Sequence, residues 1–336
     1  MGENDPDSGN SEFLCGNLCM KLFEANIRQI QNWKKDSWES VEYYNNWFIS
    51  FAPSAFLEAR NGSLEKVLLT FSKTNDLMNI TVDTILQAPQ IIEVLRIMTA
   101  PPLAQDRLVG LSYVKKSLLK TLENGKLPRT GINKEIIDSV FRMVKIIEKM
   151  FDNELFPWLH SKNSITPQQR KRSAAIVADR LTGVLSDPII RNAQEARQLK
   201  AISDYLMSKG YNFVERVDSL TTMPPKSYSF HVNVPTVIGQ DRKVNIPIDV
   251  IIKINEHCRY PLLFECKSAG DFTNTNKRRK EEATKFIQLR NTYGNDIKFC
   301  LFLCGYFDTG YLGYEAAEGI DWIWEHRISD FEKLGI

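Results

Sequence analysis

Two apolar runs that alternate with period two, residues 244–254 and 262–266, flank a polar break at 255–261. Such alternation puts successive side chains on opposite faces of a strand, so the pair predicts a β-hairpin with a long loop. Ile246, Ile248, Val250, Ile252 and Ile254 fall on even positions, as do Leu262, Phe264 and Cys266, and they are expected to share one buried face. Asp249, Glu265 and Lys267 then fall on the other face. A hairpin folded about His257 sets Asp249 opposite Glu265.

Upstream the apolar period is that of a helix. Residues 13–165 read as a helical region behind a polar, mobile tail at 1–12. Helices are expected over 27–51, from Gly62 and Ser63 through 64–71, over 103–122 beyond Pro101 and Pro102, and over 133–151. In the last of these Ile136, Val140, Val144 and Ile147 form an apolar stripe. Thr166, Pro167 and Gln169 spell an N-cap, a first helical residue and a capping box. A further helix is expected to start at Ser186 or Asp187, before Pro188, and to stop at Gly210.

Residues 213–217 and 227–234 alternate like strands and lead into the hairpin. Residues 277–294 form a helix, with Ala283, Phe286, Ile287 and Arg290 at helical spacing and Gly294 as its C-terminal cap. Residues 298–307 are apolar on both faces, as in a buried central strand. A Gly- and Tyr-rich loop at 305–314 precedes a last strand at 320–328, with Trp322 and Trp324 on one face, and a short terminal helix. The fold class is α/β (α+β): a mixed β-sheet flanked by helices over 166–336, preceded by the large helical region.

Composition narrows the function. A formal net charge of +2 over 336 residues excludes a polybasic nucleic-acid coat, though not a local basic site. No apolar run approaches the roughly 20 residues that span a bilayer. The acidic, polar N-terminus does not read as a secretory signal, and Pro6 stands where N-myristoylation of Gly2 wants Ser or Thr. Six cysteines suit reduced thiols in a cytoplasmic protein. Cys15 and Cys19 are spaced to meet on a helix but lack further ligands nearby for zinc.

Two carboxylates and an ammonium on one sheet patch are costly to assemble without a cation and an anionic substrate to use them. Mg²⁺ takes one or two carboxylates together with waters and phosphate oxygens, so Asp249 and Glu265 suit it. Lys267 can orient or deprotonate an attacking water, or stabilise a pentacovalent phosphate. A D…ExK pattern alone is often a surface ion-pair patch; the matched parity on two strands, followed by a helix and a buried strand, favours phosphodiester chemistry. Lys277, Arg278, Arg279 and Lys280 oppose the positive end of their helix dipole, which fits either a solvated charge run or a turn facing phosphate. Asn274 and Asn276 can touch phosphate or base edges, although helix capping is the simpler role. Glu195 is a third metal-site carboxylate if its helix packs beside the hairpin, and otherwise an exposed residue beside Arg191 and Arg197; Gln288 is similarly open.

Pro247-Ile248-Asp249 followed by Glu265-Cys266-Lys267 resembles the PD-(D/E)xK nuclease signature, with Ile248 inserted. More specifically, residues 100–111, 187–199, 264–286 and 302–327 resemble the XamI family of type II restriction endonucleases. That resemblance implies a PD-(D/E)xK core and Mg²⁺-dependent, site-specific cleavage of both strands of duplex DNA at a short palindrome, GTCGAC for the family's namesake. It implies metal binding by Asp249, Glu265 and the Cys266 carbonyl, with Lys267 serving the water. It also implies a homodimer matching the palindrome's symmetry, a cognate DNA methyltransferase, and a helical region acting as DNA clamp or dimerisation surface. A repair or junction-resolving nuclease on the same core, or a catalytically silent DNA-binding module, are the competing readings.

Overall fold

The computed structural model describes residues 24–160, 164–238, 242–273 and 275–336, without the side chains of 238, 242, 243 and 276–279. Gly2, Cys15, Cys19 and the 1–12 tail lie outside the described residues. The chain forms two compact units, Phe51–Ile190 and the remainder, Met1–Ser50 with Arg191–Ile336. Both divisions fall inside helices: α1, Ile30–Lys73, and a later helix, Pro167–Ser208. The boundary read from the sequence, at 165/166, lies just before that second helix and inside the unit Phe51–Ile190.

Two helices are longer than their sequence suggested. The helices expected over 27–51 and from Gly62 are one, with Pro53 inside it, and the expected new start at Pro188 is also helix interior. An interior proline removes one backbone hydrogen bond and costs about 3 kcal/mol, so tertiary packing along each helix has overridden a local stop signal. Both rings are exposed, where the carbonyls they leave unpaired can meet water.

In the unit Phe51–Ile190, short helices α2 (Val82–Gln87), α3 (Ile91–Ile97), α4 (Gln105–Ser112) and α5 (Lys116–Glu123) precede α6 (Lys134–Met150). Asn133 caps α6 by accepting the Ile136 N–H at 3.0 Å, and Ile136, Val140, Val144 and Ile147 are buried, as the stripe required. They share a core with Phe71, Ile92, Leu95 and Leu181. The buried Arg96 is paired to Glu123 at 2.6 Å and donates to the Leu103 carbonyl at 2.8 Å, which satisfies its charge inside the unit. Helix α7 is Pro167–Ser208, and its capping box is made: Gln169 N–H donates to Thr166 Oγ1 at 3.2 Å, and Thr166 N–H to Gln169 Oε1 at 2.9 Å.

The other unit holds a six-stranded mixed sheet in sequential order: β1 Asn212–Phe213, β2 Ser227–Ile238, β3 Arg242–Lys253, β4 Leu262–Ala269, β5 Lys298–Gly305 and β6 Asp321–Trp324. Strands β2, β3 and β4 run antiparallel; β1 runs parallel to β2, and β5 and β6 run parallel to β4. Helix α8, Thr275–Tyr293, makes the first parallel crossover. The second is α9, Thr309–Glu318, where the glycines suggested a loop; Asp308 caps it through the Tyr311 N–H at 2.7 Å. The expected strand at 213–217 shrinks to β1, and a 3₁₀ helix, Glu325–Leu334, closes the chain.

Both faces of the sheet are covered, as expected of a mixed sheet flanked by helices. Ile251, Leu263, Leu301, Leu303, Trp322 and Trp324 pack with Phe286 and Leu289 of α8. Val250, Ile252, Leu262, Phe264 and Phe302 pack with Ile202 and Leu206 of α7. The inward stripe of α8 therefore runs Glu282, Phe286, Leu289, while Ile287 points out and is exposed. Among the described residues the cysteines form no disulfide. No helix among the described residues is long and apolar enough to cross a membrane.

Candidate active site

The β3–β4 pairing runs Ile252↔Leu262, Ile251↔Leu263, Val250↔Phe264. Extended by one step this register puts Asp249 opposite Glu265, as a fold about His257 requires. The ladder stops there, because β3 bends. Ile246 and Ile248 join the cluster on the α8 side, whereas Val250 and Ile252 join the one on the α7 side. On β2, Val232 and Val234 go with the former and Tyr228 and Phe230 with the latter. Inside–outside parity thus reverses in both strands across His231 and Asp249, the one cross-strand position missing from the register between Phe230↔Val250 and Val232↔Ile248. His231 has φ +52°, a left-handed conformation that costs a non-glycine residue about 1–3 kcal/mol. The even-position rule for residues 246–254 fails at this bend.

The bend frees the Asp249 carboxylate from the sheet face. Its Oδ2 accepts the Cys266 N–H at 2.8 Å, a backbone donor that no longer has β3 beside it. Burial, and then the nearby Glu265 charge, hold the Asp249 carboxyl above its ordinary range. Glu265 is buried, and its Oε1 accepts two ammonium groups, Lys267 Nζ at 2.9 Å and Lys285 Nζ at 2.6 Å. Its Oε2 is buried without a hydrogen-bond partner. Burial acts to lower the Lys267 pKa, but Glu265 and Glu282 outweigh it and raise the value, so this lysine is held as an ammonium. The structure therefore brings Asp249, Glu265 and Lys267 together.

Helix α8 adds two residues that sequence reasoning did not select. Glu282 lies with Oε1 3.7 Å from Lys267 Nζ, and Lys285 bonds the same Glu265 oxygen that Lys267 does. Residues i and i+3 of a helix share a face, as i and i+2 of a strand do, so the four charges interleave as Glu282, Lys267, Glu265, Lys285. The signal was present in sequence, since Glu282 and Lys285 continue the inward stripe with Phe286 and Leu289. A search for apolar periodicity discards charged members of a stripe.

Glu282 is itself anchored. Tyr311 Oη donates to its Oε2 at 2.8 Å, and Glu315 sits beside both. Burial pushes up the Glu282 carboxyl and, helped by the Glu282 charge, pushes Glu315 up to about 8, so the two carboxyls together hold a proton at neutral pH. The folded protein then binds a proton that the unfolded chain releases at the ordinary 4.5. Its contribution to stability is fully present below the unfolded value and is lost as pH rises toward the folded one. Glu315→Gln should flatten that dependence: thermal melts from pH 5 to pH 8 should show the wild-type midpoint falling more steeply than the variant's.

Helix α7 fixes the backbone of the site. Gln198 Nε2 donates to the carbonyls of Lys267 at 3.4 Å and Phe302 at 3.3 Å, tying β4 to β5. Its neighbour Arg197 pairs with the buried Glu325 at 2.9 Å and lies 4.3 Å over the Trp47 ring. Glu195 stands at the margin of this face, exposed, with Oε1 3.8 Å from His231 Nε2; no contact joins it to Asp249 or Glu265. Gln288 is half-buried on α8, and its described bond is the backbone one from Thr292. Asn274 lies outside the described residues, as do the side chains of Asn276, Lys277, Arg278 and Arg279; Lys280 is exposed near the start of α8.

The donor set can be tested against a divalent cation. Among the described residues no group of three His, Cys, Asp or Glu side chains gathers at one point. Two carboxylates do, one offering a buried oxygen without a partner, the other with Oδ1 left free by its single bond to Cys266. That fits Mg²⁺, which is bound by one or two carboxylates and completes its shell with waters and phosphate oxygens.

Comparison with known proteins agrees with this chemistry. The pattern of the family described as XamI restriction endonuclease matches residues 75–324. Type II restriction enzyme SalI of Streptomyces albus G is 47% identical over 315 residues, covering 92% of this chain and 99% of that one. Type II restriction enzyme XamI of Xanthomonas campestris pv. amaranthicola is 24% identical over 227 residues, 66% of this chain and 76% of that one. Among solved structures, protein VC1899 from Vibrio cholerae is 14% identical over 75% of this chain and 60% of its own, with a TM-score of 0.25, too low to carry an argument.

Proposed function

The chain belongs to the XamI restriction endonuclease family, and on that premise we propose that it is a Mg²⁺-dependent type II restriction endonuclease, hydrolysing both strands of duplex DNA at a short palindrome. The observation that supports this best is the meeting of Asp249, Glu265 and Lys267 where β3 bends away from β4, with Glu265 Oε2 buried and unpartnered. Asp249, Glu265 and the Cys266 carbonyl would hold the cation, which when bound supplies Lewis-acid charge and lowers the pKa of coordinated water. Glu265 and Glu282 hold Lys267 so that its remaining donor can orient the attacking water or meet the phosphate. Gln198 keeps the β4 backbone in place beneath it.

Lys277, Arg278, Arg279 and Lys280, with Asn274 and Asn276, belong to this proposal as DNA contacts at the start of α8. Glu195 is left outside the metal set, in favour of its pairing with His231. A homodimer, a cognate methyltransferase, a cytoplasmic place of action and a clamp or dimerisation role for the helical region complete the reading.

Purified protein incubated with plasmid and Mg²⁺ should give discrete fragments, and sequencing the ends should return one short palindrome, with GTCGAC the first to test. Cutting directed to junctions or flaps would favour the repair-type reading. Binding without turnover would favour the silent module.

A further inference from the structure

We propose that Lys285 is a second phosphate-facing cation of this site, reaching from α8 to the phosphodiester being cut; the inference rests on the nuclease reading above. Its ammonium lies 2.6 Å from Glu265 Oε1 on β4 and 3.5 Å from the Pro247 carbonyl on β3, so it bridges the opening between the two strands where the Asp249 carboxylate emerges. The side chain is 24% exposed, close to the 19% of Lys267, so both lysines are partly open to solvent within the same cluster of charge. An ammonium has three donors. Lys285 spends one on Glu265 and one on a long contact to Pro247, and the third is available to an incoming oxygen.

Charge balance points the same way. Asp249, Glu265 and Glu282 are three carboxylates against two lysines. A bound divalent cation turns that deficit into a single positive charge, which is what one phosphodiester neutralises. Without Lys285 the loaded site would be neutral before the phosphate arrived, and nothing beyond the metal and Lys267 would offset the charge that develops on attack. Bracing Glu265 does not by itself call for Lys285, since Lys267 already bonds the same oxygen.

Bracing and phosphate contact predict opposite signs in one measurement. A cation beside the metal ligands repels a metal ion, so Lys285→Met, which keeps the apolar stem, should tighten Tb³⁺ binding in the absence of DNA by roughly 5-fold. With Ca²⁺ in place of Mg²⁺ and a plasmid-derived duplex carrying the mapped site, the plot of log affinity against log salt should flatten by about one phosphate contact. The single-turnover rate in Mg²⁺ should fall about 100-fold, and Lys285→Arg should restore the salt slope. Weakened Tb³⁺ binding with an unchanged salt slope would overturn the proposal, leaving Lys285 as a brace for Glu265. A wild-type protein that binds Tb³⁺ yet cuts no DNA would instead overturn the nuclease reading, and the proposal with it.

Discussion

Asp249→Asn and Lys267→Ala should each lower single-turnover cleavage by about 10³-fold or more, the largest catalytic effects expected in this chain. The two losses have different causes. Asparagine keeps the shape of Asp249 and an oxygen for the Cys266 N–H, so the bend at β3 survives while the charge that would bind a cation is gone. Tb³⁺ binding should therefore weaken along with cleavage. Removing the Lys267 ammonium leaves Glu265 still bonded to Lys285, so the carboxylate stays in place and metal binding should hold or tighten. Far-ultraviolet circular dichroism should show both variants folded, which separates a chemical loss from a structural one. Cutting at the wild-type rate by both would refute the assignment of the site.

The part of this site that was legible in sequence is the part that depends on register. Counting from His257 places Asp249 against Glu265, and the observed pairing Val250↔Phe264 has the same midpoint. The capping box at Thr166 and the α6 stripe were legible for a similar reason, since each is a short pattern satisfied by neighbours in the chain. The parity reversal at His231 and Asp249 was not, because the even-position series Ile246, Ile248, Val250, Ile252 and Ile254 continues straight through the bend. The left-handed backbone at His231 is supplied by what the two halves of the hairpin pack against, on opposite sides of the sheet. Pro53 and Pro188 misled in the other direction, as local stop signals overridden by long-range packing. Glycines hid α9, whose buried Tyr311, Leu312 and Glu315 repay the propensity lost at Gly310 and Gly313.

Gly305→Ala should be the most destabilising single-methyl change near the site, at about 3 kcal/mol or more, enough to shift the urea midpoint plainly. Gly305 ends β5 at φ +96°, and a Cβ there would stand 2.1 Å from the Ala269 carbonyl oxygen and 3.2 Å from the Tyr44 ring. That carbonyl cannot simply turn aside, because it accepts the Tyr306 N–H at 3.0 Å, while the Gly305 N–H is held by Ser40 Oγ at 2.8 Å. Relief must come from moving β4 against β5 at the Ala269↔Gly305 pair, two residues beyond Lys267 on the same strand. Cleavage by the folded fraction should therefore fall as well. Gly294→Ala is the matched control: its φ is +78° with nothing within 4 Å of the added carbon, so it carries the backbone penalty without the collision and should cost about 1 kcal/mol with cleavage retained. Equal losses of stability in the two variants would show that the collision at Ala269 is absorbed elsewhere, and that the end of β5 does not set the position of Lys267.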